Sequence, residues 1–186
     1  MAPDEPTAEG LTEEAAASGK VAEAAERELP DVPALAAIVG PYPSTSWVVA
    51  DDEWVVSVDA AEYHDLVATA KDGGFNMFID LCGVDYFRRD PRFEVVLTLV
   101  DTATPMRLRV RAGVAGDQPE IVTVSDLFPG ANFYEREAYD LFGIDFPGHP
   151  DLSRILLPDE WEGHPLRKDY DVGSVPIQFK ESHKVQ

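Results

Sequence analysis

The sequence predicts an α+β domain, a small mixed β-sheet with helices packed on it, followed by a long extended C-terminal segment. Three observations carry this reading. Runs rich in β-branched and aromatic residues recur between 53 and 114, and a segment of helical spacing that stops at paired glycines lies among them. Beyond 143, proline and glycine are interspersed with bulky apolar residues and no regular period persists.

Taken in order, "EWVVSV" (53–58) is the first strand, and "AAEYHDLVATAKDGG" (60–74) is a helix with Leu66, Val67 and Ala70 on one face and a glycine stop. "FNMFIDLCGVDY" (75–86) alternates, so Met77, Ile79 and Leu81 are expected on the better-buried face and Phe78, Asp80 and Cys82 on the other. "RFEVVLTLVD" (92–101) and "PMRLRVRAGV" (105–114) are two further strands joined by a "TATP" hairpin link. Met106, Leu108 and Val110 face one way. Arg107, Arg109 and Arg111 form a stripe facing the other, as a solvated or interface-facing sheet surface requires.

A short helix is expected at "TVSDLF" (123–128). A longer one follows, with Asn132 as N-cap, Glu135 completing a capping box and Gly143 in the left-handed position after its end. On a helical wheel Tyr134, Ala138, Leu141 and Phe142 share one side, while Arg136, Glu137 and Asp140 group on the other, with Arg136 and Asp140 as an i,i+4 pair.

The division this suggests is an acidic, mobile or weakly helical extension (1–40), an α+β domain ending in the charged helix (41–143), and an extended partner-binding strap (144–186). Residues 1–40 hold nine acids, two bases and no aromatic residue, which makes a poor core. The strap is different: Phe146, Leu152, Ile155, Leu156, Leu157, Trp161, Leu166, Tyr170 and Phe179 supply more apolar surface than a free tail would show, so it is expected to lie along another surface.

Composition excludes several functions. The 15 basic and 35 acidic residues leave a net charge of −20, a field that repels nucleic acid and anionic lipid. No apolar run approaches the roughly 18 residues that span a bilayer. Cys82 is the sole cysteine, so no internal disulfide and no cysteine-held cluster forms from this chain alone. A reducing compartment fits. "MAPDEPTAEGLTEE" has neither secretion-signal nor transit-peptide character, and the chain reads as cytoplasmic and bacterial.

The density of acids between 134 and 152 suggests acid–base catalysis, yet Glu135 and Glu137 stand about 200° apart on a helix and cannot form a carboxylate pair. A doubled "GHP", at His149 and His164, suggests a metal site with Asp151, Glu162 or Asp169, the basis of one rival reading as a freestanding metal-dependent hydrolase. Each histidine precedes proline, however, which excludes the helical two-histidine geometry. The plainer expectation is a glycine turn, a proline-stiffened exit and an imidazole bonded locally or to a partner. No nucleophile elbow or phosphate loop appears, and Cys82, inside a strand, is expected to be buried and inert. Catalytic, cofactor-binding and metal-binding residues are therefore all expected to be absent.

The segment "YEREAYDLFGIDFPGHPDLSRILLPDEWEGHPLRKDY" (134–170), with "FIDLCGVDYF" and "RFEVVLTLV" upstream, closely resembles the signature of the C subunit, or thirty-kilodalton subunit, family of proton-translocating NADH:quinone oxidoreductase, respiratory complex I. The likeness spans roughly 46–170. It implies a cofactor-free component of the peripheral arm at the cytoplasmic face of the bacterial membrane, packed mainly on the D subunit and near the B subunit. Other peripheral-arm subunits are neighbours, and FMN and iron–sulfur clusters belong to partner subunits. It also implies a partner interface formed by Glu135, Arg136, Glu137 and Asp140 in the helix and by His149, Asp151, Arg154, His164, Arg167, Lys168 and Asp169 in the strap. Ser153 departs from the pair of arginines that many relatives carry after "GHPDL". Related subunits of membrane-bound hydrogenases and of ferredoxin- or F420-linked dehydrogenases are the nearest alternative.

Overall fold

The computed structural model describes residues 30–49, 53–104 and 106–171; the expectations for 1–29 and 172–186 lie outside the described residues. The described residues begin with α1 (Pro33–Val39), proline in its first turn, then β1 (Ser46–Val49), β2 (Glu53–Asp59) and α2 (Ala60–Asp72). Strands β3 (Met77–Asp85), β4 (Phe93–Asp101) and β5 (Met106–Val114) follow, and α3 (Ala131–Phe142) is the last regular element among the described residues.

The five strands form one mixed sheet in the order β1-β2-β5-β4-β3, parallel only between β2 and β5. The helix α2 is the crossover within the longer excursion that connects those parallel neighbours. Period-two alternation puts Trp54, Val56 and Val58, then Leu108, Val110 and Ala112, then Phe93, Val95, Leu97 and Leu99, on one face. All three helices cover that face. Leu35, Ile38 and Val39 of α1 join Tyr63, Leu66, Val67 and Ala70 of α2 in the core, so the tail of the 1–40 segment is part of the folded layer. At Gly83 a side chain would collide with Phe142, its Cβ falling 2.9 Å from that ring, so glycine lets α3 lie close on β3.

The opposite face is open and polar. Two of its arginines are held across strands, Arg109 on Glu53 at 2.9 Å and Arg111 on Glu94 at 2.6 Å, which turns part of the expected stripe into ion pairs, while Arg107 is exposed.

Four local expectations change. In β3 a bulge between Phe78 and Asp80 reverses the alternation, leaving Met77 and Ile79 exposed while Leu81 stays buried. Cys82, expected to be buried, lies exposed on the open face opposite Leu81, where partial burial and the neighbouring Asp80 carboxylate push its thiol pKa up and keep it a poor nucleophile. Residues 123–128 form a single turn, closed by the Phe128 N–H on the Val124 carbonyl at 2.8 Å, instead of a helix. The capping box is absent: α3 starts at Ala131 after Gly130 with no side-chain cap, because Glu135 is turned into the core. Gly143 does take the left-handed position, at φ 68°. No helix among the described residues is long and apolar enough to cross a membrane.

Candidate functional site

Helix α3 buries two carboxylates, Glu135 and Asp140, each with no exposed surface, while Phe133 remains 60% exposed. That arrangement departs from the wheel drawn from hydropathy at Asp140 and Tyr134, while Ala138 is buried and Glu137 exposed as drawn. For Asp140 the cause is the strap, which returns along the helix and supplies its partners.

Asp140 is the principal clip. Its Oδ2 accepts the backbone N–H groups of Ile155, Leu156 and Leu157 at 3.1, 2.8 and 2.9 Å, and its Oδ1 pairs with Arg154 at 2.6 Å. Burial pushes the Asp140 carboxyl upward, but these donors outweigh it and hold the pKa below the ordinary range. Arg154 also donates to the Trp161 and Gly163 carbonyls, tying the next loop to the same point. Arg136 does not pair with Asp140. It donates to the carbonyl and hydroxyl of Ser153 and to the Arg154 carbonyl, so the serine that departs from the family pattern has its own contact.

The second "GHP" caps the helix. A helix leaves its last four carbonyls unbonded, and here the strap supplies donors for the end of α3. His164 Nδ1–H reaches the Asp140 carbonyl at 2.9 Å, the Leu166 N–H reaches Leu141 at 3.0 Å, and Arg167 reaches Phe142 and Gly143 at 2.5 and 3.2 Å. The guanidinium also sits where the helix dipole favours positive charge. Burial, first among several influences, lowers the His164 pKa. Beyond it, Arg92 bridges the buried Asp85 at 2.8 Å and the strap's Asp169 at 2.6 Å, and the Lys168 N–H adds a bond to Asp85 at 2.8 Å. The Arg92 hydrogen bond, followed by lesser influences, holds the Asp85 pKa at about 2.

The first "GHP" serves the other end. His149 Nε2 lies 3.2 Å from the Asn132 carbonyl and 3.8 Å from Glu135, and its Nδ1 accepts the Asp151 N–H at 3.0 Å. Glu135 accepts from Thr123 at 2.5 Å and from the Val124 N–H at 2.7 Å, and burial still raises its pKa to about 7. The two histidines thus bond backbone carbonyls about 12 Å apart along the helix, and no group of three or more His, Cys, Asp or Glu side chains converges on a metal position among the described residues.

The expected interface residues therefore divide. Glu135, Asp140 and His149 are enclosed by their own chain and cannot face a partner, and Arg136, Arg154, His164 and Arg167 are engaged within it. Glu137, Asp151, Lys168 and Asp169 are exposed, the last still paired with Arg92. Outward on the strap stand Leu156 at 62%, Leu166 at 48% and Ile155 at 37% exposure. Asp85, Arg92 and Thr123 were not singled out in the sequence: their partners lie up to 83 residues away, and no local pattern joins them.

Residues 56–175 match the family described as the respiratory-chain NADH dehydrogenase 30 kDa subunit. The chain is 50% identical over 105 residues to the C subunit of NADH-quinone oxidoreductase from Roseiflexus sp. (strain RS-1), a match spanning 56% of this chain and 60% of that protein. It is 44% identical over 141 residues to NADH-quinone oxidoreductase subunit 5 of Thermus thermophilus, covering 71% of this chain and 68% of the relative. Among solved structures it is similar to a trypsin-resistant fragment of Nqo5, with a TM-score of 0.54 and 37% identity over 58% of this chain and 89% of that one.

Proposed function

Because the chain belongs to the 30 kDa subunit family of respiratory-chain NADH dehydrogenase, we propose that it is a non-catalytic peripheral-arm subunit of a proton-pumping NADH:quinone oxidoreductase. It orders the region where electrons pass from iron–sulfur centres to quinone. The FMN and the clusters are held by other subunits. The D subunit is its main contact, the B subunit lies near, and the complex attaches it to the cytoplasmic face of the membrane.

The observation that carries this reading is the construction of the strap. Its polar groups point inward to α3 and fix its path, while Ile155, Leu156 and Leu166 point outward with no cover. A strap held in shape but capped by exposed leucine suits docking, because much of the ordering cost precedes the encounter. Exposed bulky side chains grouped on one segment mark a protein contact more readily than a free surface.

Copurification of the tagged chain from detergent-solubilised membranes tests this. The expected result is recovery with the D and B subunits and with NADH:quinone activity. Leu156→Asp combined with Leu166→Asp should reduce that recovery about tenfold, a loss of roughly 1.4 kcal/mol of docking, and leave the melting temperature of the isolated chain unchanged. A chain recovered alone, or a double variant recovered at the wild-type level, would contradict the reading.

A further inference from the structure

The connection between β3 and β4, "YFRRDPR" (86–92), is built unlike any other turn in the described chain. Phe87 has φ 60°, the only non-glycine residue there in the left-handed region, and its ring is 45% exposed. A bulky aromatic residue in that region is strained, and its surroundings must offset the strain. Here the buried Asp85 does so, accepting the Phe87 N–H at 2.7 Å, while the Tyr86 N–H bonds the Arg92 carbonyl at 2.9 Å. The tip is therefore held in a conformation that presents an aromatic ring to solvent.

The Arg88 and Arg92 guanidiniums flank that ring, and Arg89 lies against the neighbouring Tyr86. The Arg89 guanidinium lies 4.0 Å from the Tyr86 ring centre and the Arg88 guanidinium 5.7 Å from that of Phe87. Both arginines are exposed and neither makes an ion pair among the described residues, unlike Arg92, Arg109 and Arg111. The strap adds a third cation at the hairpin's base, because the Lys168 N–H on Asp85 brings that exposed residue there. Unpaired cations gather at one tip of a chain whose net charge is −20.

We propose that this tip is a docking point for a carboxylate-rich segment of a partner subunit, with Phe87 entering an apolar recess and Arg88 and Arg89 gripping the flanking carboxylates. A guanidinium laid against a ring keeps its N–H edge available and already oriented, which suits bidentate carboxylate recognition. The overall acidic field disfavours a long polyanion such as nucleic acid or an anionic membrane. A short acidic segment meets mainly the local charges, Arg88, Arg89 and Lys168 against Asp90 and the already paired Asp169, since charges more than about 8 Å away are screened at physiological salt. The inference rests on the reading of the chain as one subunit of a larger assembly.

The test uses the full chain with Phe87→p-benzoylphenylalanine, photolysed within the assembled complex. The expected product is a crosslink to an Asp- and Glu-rich peptide of another subunit. Arg88→Glu with Arg89→Glu should lower incorporation into the complex at least tenfold. Arg88→Lys with Arg89→Lys, which keeps the charge but loses the bidentate fork, should fall between wild type and the charge reversal, and both double variants should melt as the wild-type chain does in isolation. Crosslinks confined to this chain, including its own acidic residues 1–29, overturn the proposal, as do crosslinks to lipid or nucleic acid, no crosslink at all, or undiminished incorporation after charge reversal. A wild-type chain that enters no larger assembly would remove the subunit reading first, so the two failures are distinguishable.

Discussion

Asp140→Ala is expected to release the strap and to lower the stability of the chain by about 3 kcal/mol, measured by chemical denaturation at pH 7. The carboxylate has no exposed surface, accepts three successive backbone N–H groups and pairs with Arg154. Alanine removes every one of these acceptors at once and leaves a cation facing the end of α3. Asp140→Asn should cost roughly half as much, because the amide keeps one oxygen for the three N–H groups but turns a donor toward Arg154. The effect should fade in acid. The folded pKa of Asp140 lies below the ordinary value of 3.8, so its contribution is complete above about pH 4 and is lost as the pH falls through the folded value. Equal stability of wild type and Asp140→Ala at pH 7 would show that no clip operates there.

Glu135→Gln is expected to act in the opposite sense. The buried carboxyl has a folded pKa of about 7 against 4.5 for a free glutamate, with burial the first cause and Thr123, Val124 and His64 opposing it. Above pH 7 the carboxylate is ionised in both states and its burial is fully unfavourable. As the pH falls from 7 toward 4.5 the folded state takes up the proton first, so this group stabilises the fold by an increasing amount, about 3 kcal/mol across that window. His164, whose pKa is lowered by burial, contributes the reverse slope, so the informative quantity is the difference between wild type and variant. Glutamine can accept from the Val124 N–H and donate to Thr123. The variant should be the more stable protein at pH 8 by about 2 kcal/mol, and the advantage should vanish near pH 5. A difference that does not change with pH would show that Glu135 stays ionised.

Strands β2, β4 and β5 and the helix α2 were legible because their apolar residues recur at periods that only one backbone geometry satisfies. The bulge in β3 was not, since Ile79 offers no local sign that the register shifts beside it. The helix α1 and strand β1 escaped notice for a related reason: seven and four residues are too few to display a period. In the charged helix, local pattern misled. Asn132 and Glu135 have the spacing of a capping box, but Thr123 and Val124, twelve and eleven residues upstream, bind the carboxylate. The likeness to the family marked which residues belong together without saying what they touch. Asp140, His164 and Arg167 turn out to hold the chain to itself, and the outward leucines between them are the surface proposed for a partner.

Position-resolved hydrogen exchange, on the isolated chain and on the assembled complex, tests most directly whether polar clips seat the strap on α3 and a partner then secures it. In isolation the amides of Ile155, Leu156, Leu157, Leu166 and Lys168 should exchange more slowly than free peptide but on the order of a hundredfold faster than the amides of β4 and β5. Asp140→Ala should abolish the protection at 155–157. Assembly should raise all five toward the level of the sheet. Free-peptide exchange in the isolated wild-type chain would contradict the seating, and core-like protection there that assembly does not change would contradict the role of the partner.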